Sequence, residues 1–438
     1  MAKTESGKIG TISALSIGIG GMVGGGIFAV TGLTIQLTKG AAPVAFVVAG
    51  IVALLTSYSY LRMTLKYPSQ GGTVEFLIRG FGPGVFSGAM NILLSMSYMV
   101  LLAVYAYAFG SYGAVFVPFG DPAFVTRALA SGLLIALVVV NIFGADLVIR
   151  SENAFNAGKM ILLAIFIIVG LSMPMDLSRM APSEYVPPVE LIAGAMIIFL
   201  NYEGFELIAN AGPDIKNPKK TLPIAYIGGV LIAIVLYILI TIVVLGHLDF
   251  NQIKDHSDSA LSFAAHSFMG PAGVIVTIAA LLATSSAINA TFYGAGRLTY
   301  TIAKSGELPK ELERDIRGQP LEGMFVFAIF ALILVNFLPL NAIATMGSAG
   351  FLLIFLAVNW ANVRRATETE SRAWISMTGV IACAIALLAL CWQVWRVDAT
   401  RPHLWILVGM IVAAFVIEAT YRAVTARKMK SLSADHTS

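Results

Sequence analysis

Six of the nine residues from Gly18 to Gly26 are glycine, in the order Gly18-Ile19-Gly20-Gly21-Met22-Val23-Gly24-Gly25-Gly26, with Ile27-Phe28 following. They sit inside an apolar run from about Thr11 to Gln36 that is long enough to cross a bilayer. Each glycine in a helix costs roughly 0.5–1 kcal/mol relative to alanine. In hydrocarbon an unwound backbone must also find partners for its N–H and C=O groups, so it persists only where it faces protein or a water-filled cavity. There the freed groups bind: N–H groups opening the second half-helix draw an anion, and carbonyls closing the first draw a cation. The plainer reading is that small residues let helices pack closely. A second break, where an internal repeat would put one, favours the broken helix.

Composition puts most of the chain in lipid. Only 12% of the 438 residues are charged and the mean hydropathy is +0.85, whereas a soluble domain carries about 25% charge. Apolar runs give twelve spans, near 11–36, 41–62, 84–112, 125–144, 154–173, 190–211, 222–245, 271–297, 322–339, 341–362, 374–394 and 403–424. The expected fold class is therefore an all-α integral membrane protein with twelve transmembrane helices. An even count puts both termini on one side. With that side cytoplasmic, inner loops and tails hold 21 Lys and Arg against 6 outside (Lys39, Arg127, Arg179, Lys254, Arg396, Arg401), and Lys159 completes the 28. The expected place is the cytoplasmic membrane, multi-pass, with lipid as the surrounding partner. The N-terminus, with Lys3 and Lys8 and no small-residue cleavage site, reads as a retained first span.

The net charge of +4 follows from this topology and implies no nucleic-acid partner. Cys383 and Cys391 share one apolar run, so neither a disulfide framework nor a metal site is expected. No phosphate loop, metal-ligand spacing or Ser-His-Asp set falls at a usable place. The chain is expected to be neither an enzyme nor a cofactor carrier, and nothing in it sets an oligomeric state.

Span 6 is the second unusual one, with Leu200-Asn201-Tyr202-Glu203-Gly204-Phe205-Glu206 in mid-membrane. A charge there costs at least a few kcal/mol unless compensated. Its centre near Gly204 lies about 180 residues and five spans after Gly25, the position expected of an inverted repeat with broken helices 1 and 6. Glu203 and Glu206 are either functional or hydrogen-bonded, protonated supports of the unwound backbone. Phe28, Tyr98, Tyr202 and Phe205 either gate a cavity or pack. Lys159, just inside span 5, either snorkels to headgroups or faces the bundle and exchanges a proton. In span 8, Thr284-Ser285-Ser286 either satisfy their own helix or complete a cation site beside span 1.

These residues carry a family resemblance. Gly24-Gly25-Gly26-Ile27-Phe28 resembles the span 1 motif of the amino acid–polyamine–organocation superfamily. Gly204-Phe205-Glu206 with Asp214-Ile215-Lys216-Asn217-Pro218-Lys219-Lys220-Thr221-Leu222-Pro223 resembles its span 6 and inner loop, and Ala295-Gly296-Arg297-Leu298 with Lys304-Ser305-Gly306-Glu307-Leu308-Pro309 resembles the end of span 8. The resemblance implies a cytoplasmic tail (1–10), a five-helix repeat (11–173), its inverted copy (190–362), two further helices (374–424) and a tail (425–438). It implies alternating access for a small amino acid or amine, with Met22, Gly24, Gly25 and Gly26 meeting the substrate through backbone. Leu200 and Glu203 would offer carbonyls to the amine, with Tyr202 and Glu206 beside them and Phe28 and Phe205 as gates. Lys159 falls on the span 5 lysine that replaces sodium in proton-coupled members, next to a cation site at Ser285 and Ser286. Glu203 departs from the pattern, where an uncharged residue is usual. The alternatives are a carrier or exchanger of cationic amino acids or polyamines, and a sensor that binds without translocating.

Overall fold

A computed structural model describes residues 8–304 and 321–425; of 143–155, 293–301, 303–304, 321 and 425 only the backbone is described. Residues 1–7 and 426–438 of the two expected tails, and the Ser305–Pro309 part of the span 8 motif, lie outside these residues. In chain order the helices are α1 (Thr11–Met22), α2 (Gly26–Thr38), α3 (Ala42–Lys66), α4 (Thr73–Phe81), α5 (Val85–Ala114), α6 (Pro122–Ser172), α7 (Pro188–Ile197), α8 (Leu207–Asn210) and α9 (Pro218–Pro223). They continue with α10 (Gly229–His247), α11 (Phe250–Asp255), α12 (Ala260–Met269), α13 (Val274–Lys304), α14 (Leu321–Phe337), α15 (Leu340–Arg364), α16 (Ala373–Arg396) and α17 (Arg401–Thr425). Among the described residues, nine helical stretches are long and apolar enough to cross a membrane, or ten when α1 and α2 count as one bent span. Two more apolar segments, Asn156–Ser172 and Glu322–Phe337, are shorter.

Spans 4 and 5, expected to be separated near 145–153, lie in one helical stretch, α6. Asp146, Arg150, Ser151, Glu152 and Asn153 between them end an apolar window, but no proline interrupts the helix between Pro122 and Ser172.

α5 is the central post, packed by α6, α13, α14, α15 and α17, and is buried along most of its length. Outer helices instead expose apolar stripes one turn apart, such as Ile135 with Val139, Leu231 with Val235, Ile329 with Ile333, and Val408, Val412 and Val416. Such stripes are a liability in water and suit contact with acyl chains. Inside the bundle, helices are joined by hydrogen bonds between small polar side chains. Ser59 meets Ser376 at 2.9 Å and Asn362 donates to Ser376 at 2.8 Å, binding α16 to α3 and α15, and Asn359 donates to Thr56 at 3.0 Å, binding α15 to α3.

The two interrupted spans are tied end to end. The Ile9 N–H donates to the Asp214 carbonyl at 2.9 Å and the Lys216 N–H to the Ile9 carbonyl at 2.8 Å, while Thr11 and Thr221 hydroxyls lie 3.1 Å apart. Between the breaks, backbone touches backbone: a Cβ added to Gly204 would stand 2.4 Å from the Gly21 carbonyl carbon and 2.5 Å from the Met22 nitrogen. Gly204 also sits at φ +121°, a region that side chains avoid. Gly204→Ala is therefore expected to lower the melting temperature of the purified protein, with a destabilisation of about 1–3 kcal/mol or more. Gly132→Ala on α6, where an added Cβ meets open space, is expected to leave the melting curve in place.

Candidate functional site

The first break closes α1 with a hydrogen bond from the Val23 N–H to the Ile19 carbonyl (2.7 Å) and opens α2 with one from Ala29 to Gly25 (3.0 Å). The two halves meet at 48°. Glycine is required here by crowding and not by a left-handed backbone. A Cβ on Gly25 would stand 2.7 Å from the Tyr105 ring and one on Gly26 2.6 Å from Asn201 Oδ1.

The second break begins as a 3-10 turn, Ile198–Tyr202, passes through extended Glu203 and left-handed Gly204, and resumes at α8. Glu206 holds this shape. Its Oε2 accepts from the Gly204 N–H at 2.6 Å and its Oε1 from the Tyr98 hydroxyl at 3.0 Å. The Tyr237 hydroxyl lies 2.7 Å from the Met22 carbonyl and 2.8 Å from the Asn201 carbonyl, bridging the two breaks from α10.

A cavity of about 370 Å³ lies against these breaks. Its wall follows α1 from Gly21 and Gly20 back through Ser16, Ser13 and Ile9, and α13 from Ser286 to Thr291. It includes Asn156, Lys159, Tyr98, Tyr105, Glu203 and Glu206, and nothing from α2. The cavity therefore lies on the N-terminal side of the first break. Glu203 is 1% exposed, and neither of its carboxylate oxygens has a hydrogen-bond partner among the described residues. Lys159 is buried too, with its Nζ donating to the Gly20 carbonyl at 2.9 Å, in the last turn of α1. That carbonyl carries part of the negative end of the half-helix, where an ammonium is favoured.

The structure thus gathers Lys159, Ser286, Glu203 and Glu206 around one space. Other expected site residues sit beside it without lining it. Met22 and Leu200 are buried in the core, the Leu200 N–H donates to the Ser348 hydroxyl at 3.0 Å, and its carbonyl accepts from Glu203 N–H at 3.2 Å. Gly24, Gly25 and Gly26 follow the α1 terminus and are not among the residues that line the cavity. The Tyr202 hydroxyl turns away and donates to the Phe46 carbonyl at 2.6 Å. Phe28 packs edge-on to Tyr112, and Phe205 packs among Tyr60, Tyr226 and Phe355, so both are core aromatics here. Ser285 donates to its own helix at the Leu281 carbonyl, 2.7 Å away, leaving Ser286 as the hydroxyl that faces the cavity.

Four participants escaped the sequence reading. Gly20 and Gly21 were hidden among equally small neighbours. Tyr237 stands in an apolar run, and Tyr105 in another, with no polar pattern to mark either. The bridging role of Tyr237 is open to test. Tyr237→Phe removes the one donor shared by two buried carbonyls, and is expected to cost about 1–3 kcal/mol of stability. The melting temperature of the purified variant measures it, and an unchanged value would leave the bridge without a structural role.

Residues 9–416 match the amino acid permease family. The chain is 31% identical to the inner membrane transport protein YbaT of Escherichia coli, over 93% of this chain and 95% of that one. It is 24% identical to cationic amino acid transporter 7, chloroplastic, of Arabidopsis thaliana, over 90% of this chain and 72% of the relative. It is 25% identical to the branched-chain amino acid permease BcaP of Lactococcus lactis, over 91% and 92%.

Proposed function

Given that this chain belongs to the amino acid permease family of the amino acid–polyamine–organocation superfamily, whose members are transporters and not enzymes, we propose that it is a proton-coupled secondary transporter of a small amino acid or related amine. It works by alternating access in the cytoplasmic membrane, with both termini in the cytoplasm. Its twelve spans form two inverted five-helix halves and two added helices. In that orientation the cavity faces the cytoplasm, and the structure is the state that releases or receives substrate there. Substrate lies against the broken parts of spans 1 and 6. The named relatives take side chains as different as cationic and branched-chain ones, so family membership alone does not choose among them.

The observation that carries the coupling is the 2.9 Å hydrogen bond from Lys159 Nζ to the Gly20 carbonyl. A coupling ion is useful only if it binds one conformation better than the other. The ammonium joins span 5 to the end of α1 within a wall that includes Ser286, the place that a sodium ion would take between α1 carbonyls and α13 hydroxyls. A second cation there would meet like-charge repulsion. With its proton, Lys159 holds α1 against the bundle by a charge-assisted hydrogen bond; once the proton leaves, the neutral amine keeps N–H donors but loses the charge that the negative end of the half-helix favours, and the hold weakens. Proton binding and release thus bias the movement of α1.

Transport is accordingly expected in sodium-free buffer, driven by an inward proton gradient in proteoliposomes. Lys159→Ala is expected to reduce gradient-driven accumulation to the equilibrium level while substrate still binds. A strict sodium requirement in the wild type would refute the coupling. Ligand binding with no uptake under any gradient would instead point to a sensor.

A further inference from the structure

Glu203 is the one carboxylate in the cavity wall that the fold does not use. Glu206 is spoken for: it accepts from the Gly204 N–H and from Tyr98, and so shapes the turn. Glu203, one residue before that turn, is 1% exposed, and both its oxygens lack partners among the described residues. Burying a carboxylate without a partner is among the costliest arrangements a fold can hold, and an ionisable side chain placed so within a membrane marks a functional site. Formal charge points the same way. The described residues lining the cavity contribute two carboxylates, Glu203 and Glu206, and one ammonium, Lys159. Lys159 already donates to Gly20. The cavity therefore has a formal deficit of one positive charge.

We propose that Glu203 is the counter-ion for the ammonium of the substrate, and that the substrate is a small organic cation whose positive charge is not balanced by its own carboxylate: a basic amino acid or an alkylamine. The inference rests on the transporter reading above and narrows it. A zwitterion brings no net charge and leaves the deficit in place. A cation cancels the deficit and turns an unpaired buried charge into a charge-assisted hydrogen bond. Polar groups elsewhere in the wall, from Ser13, Ser16, Asn156, Asn210 and Thr291, suit the hydrophilic remainder of such a molecule.

The test is equilibrium binding to the purified full-length protein by calorimetry, with lysine, putrescine, alanine and leucine as probes. No gradient is used, so the outcome is independent of whether coupling is by proton. Lysine or putrescine is expected to bind the wild type at least tenfold more tightly than alanine or leucine. Glu203→Gln is expected to weaken the cation roughly thirtyfold or more, the loss typical when one partner of a buried charge pair is removed, and to change alanine binding less than about threefold. Glu203→Asp, which keeps the charge one methylene further back, is expected to keep the preference for cations at reduced affinity, and serves alone if the Gln variant does not yield folded protein. A preference for alanine or leucine in the wild type overturns the proposal. So does an equal loss for cations and zwitterions in either variant, or failure of both cations to bind. Of the two cations, the one that binds identifies the source class.

Discussion

Everything in this molecule is arranged around the place where two broken helices touch through bare backbone. Gly21 and Gly204 approach so closely that neither has room for a methyl group. A membrane gives such a meeting point no water to satisfy its amides, so partners must come from protein. Val23 and Ala29 complete the ends of the first break. Glu206 completes the second, and Tyr237 spans both. The surrounding helices supply these groups, and their remaining surface is free to be apolar. That is why one half of the design reads as polar chemistry at close quarters and the other as plain grease.

The breaks and their distance apart were legible because their causes are local. Glycine density interrupts span 1, and carboxylates around a glycine interrupt span 6. The direction of side chains across those breaks was not legible. Once the 3.6-residue period is lost, spacing no longer says which residues share a face. Glu203 and Glu206, three apart, have different employments: one is consumed by the turn and the other is left open to the cavity. The same loss of period hid the destination of Tyr202, which lies next to Glu203 yet reaches Phe46 on α3. Phe205 reads as a gate by proximity alone, whereas the structure surrounds it with Tyr60, Tyr226 and Phe355. Hydropathy marked where spans 4 and 5 leave the apolar layer but not that the helix continues between them, since polarity and helix termination are separate properties.

Lys159 shows how much a single contact adds to a sequence reading. A lysine near a span end is as easily explained by headgroups as by the bundle. Burial and a carbonyl 2.9 Å away place it in the bundle. Its position on span 5 and that of Gly20 on span 1 lie 139 residues apart in sequence, so no local pattern joins them. Only the packing of α6 beside α1 and α13 does.

Tyr237 offers two carbonyls a single proton. At any instant one of Met22 and Asn201 is served fully and the other only in part. The arrangement is thus degenerate, since passing the hydroxyl from one acceptor to the other leaves the number of bonds unchanged. A fully satisfied clamp would hold the two spans as one rigid piece. This shared pin instead leaves the hydroxyl bonded to one span whenever its contact with the other is lost.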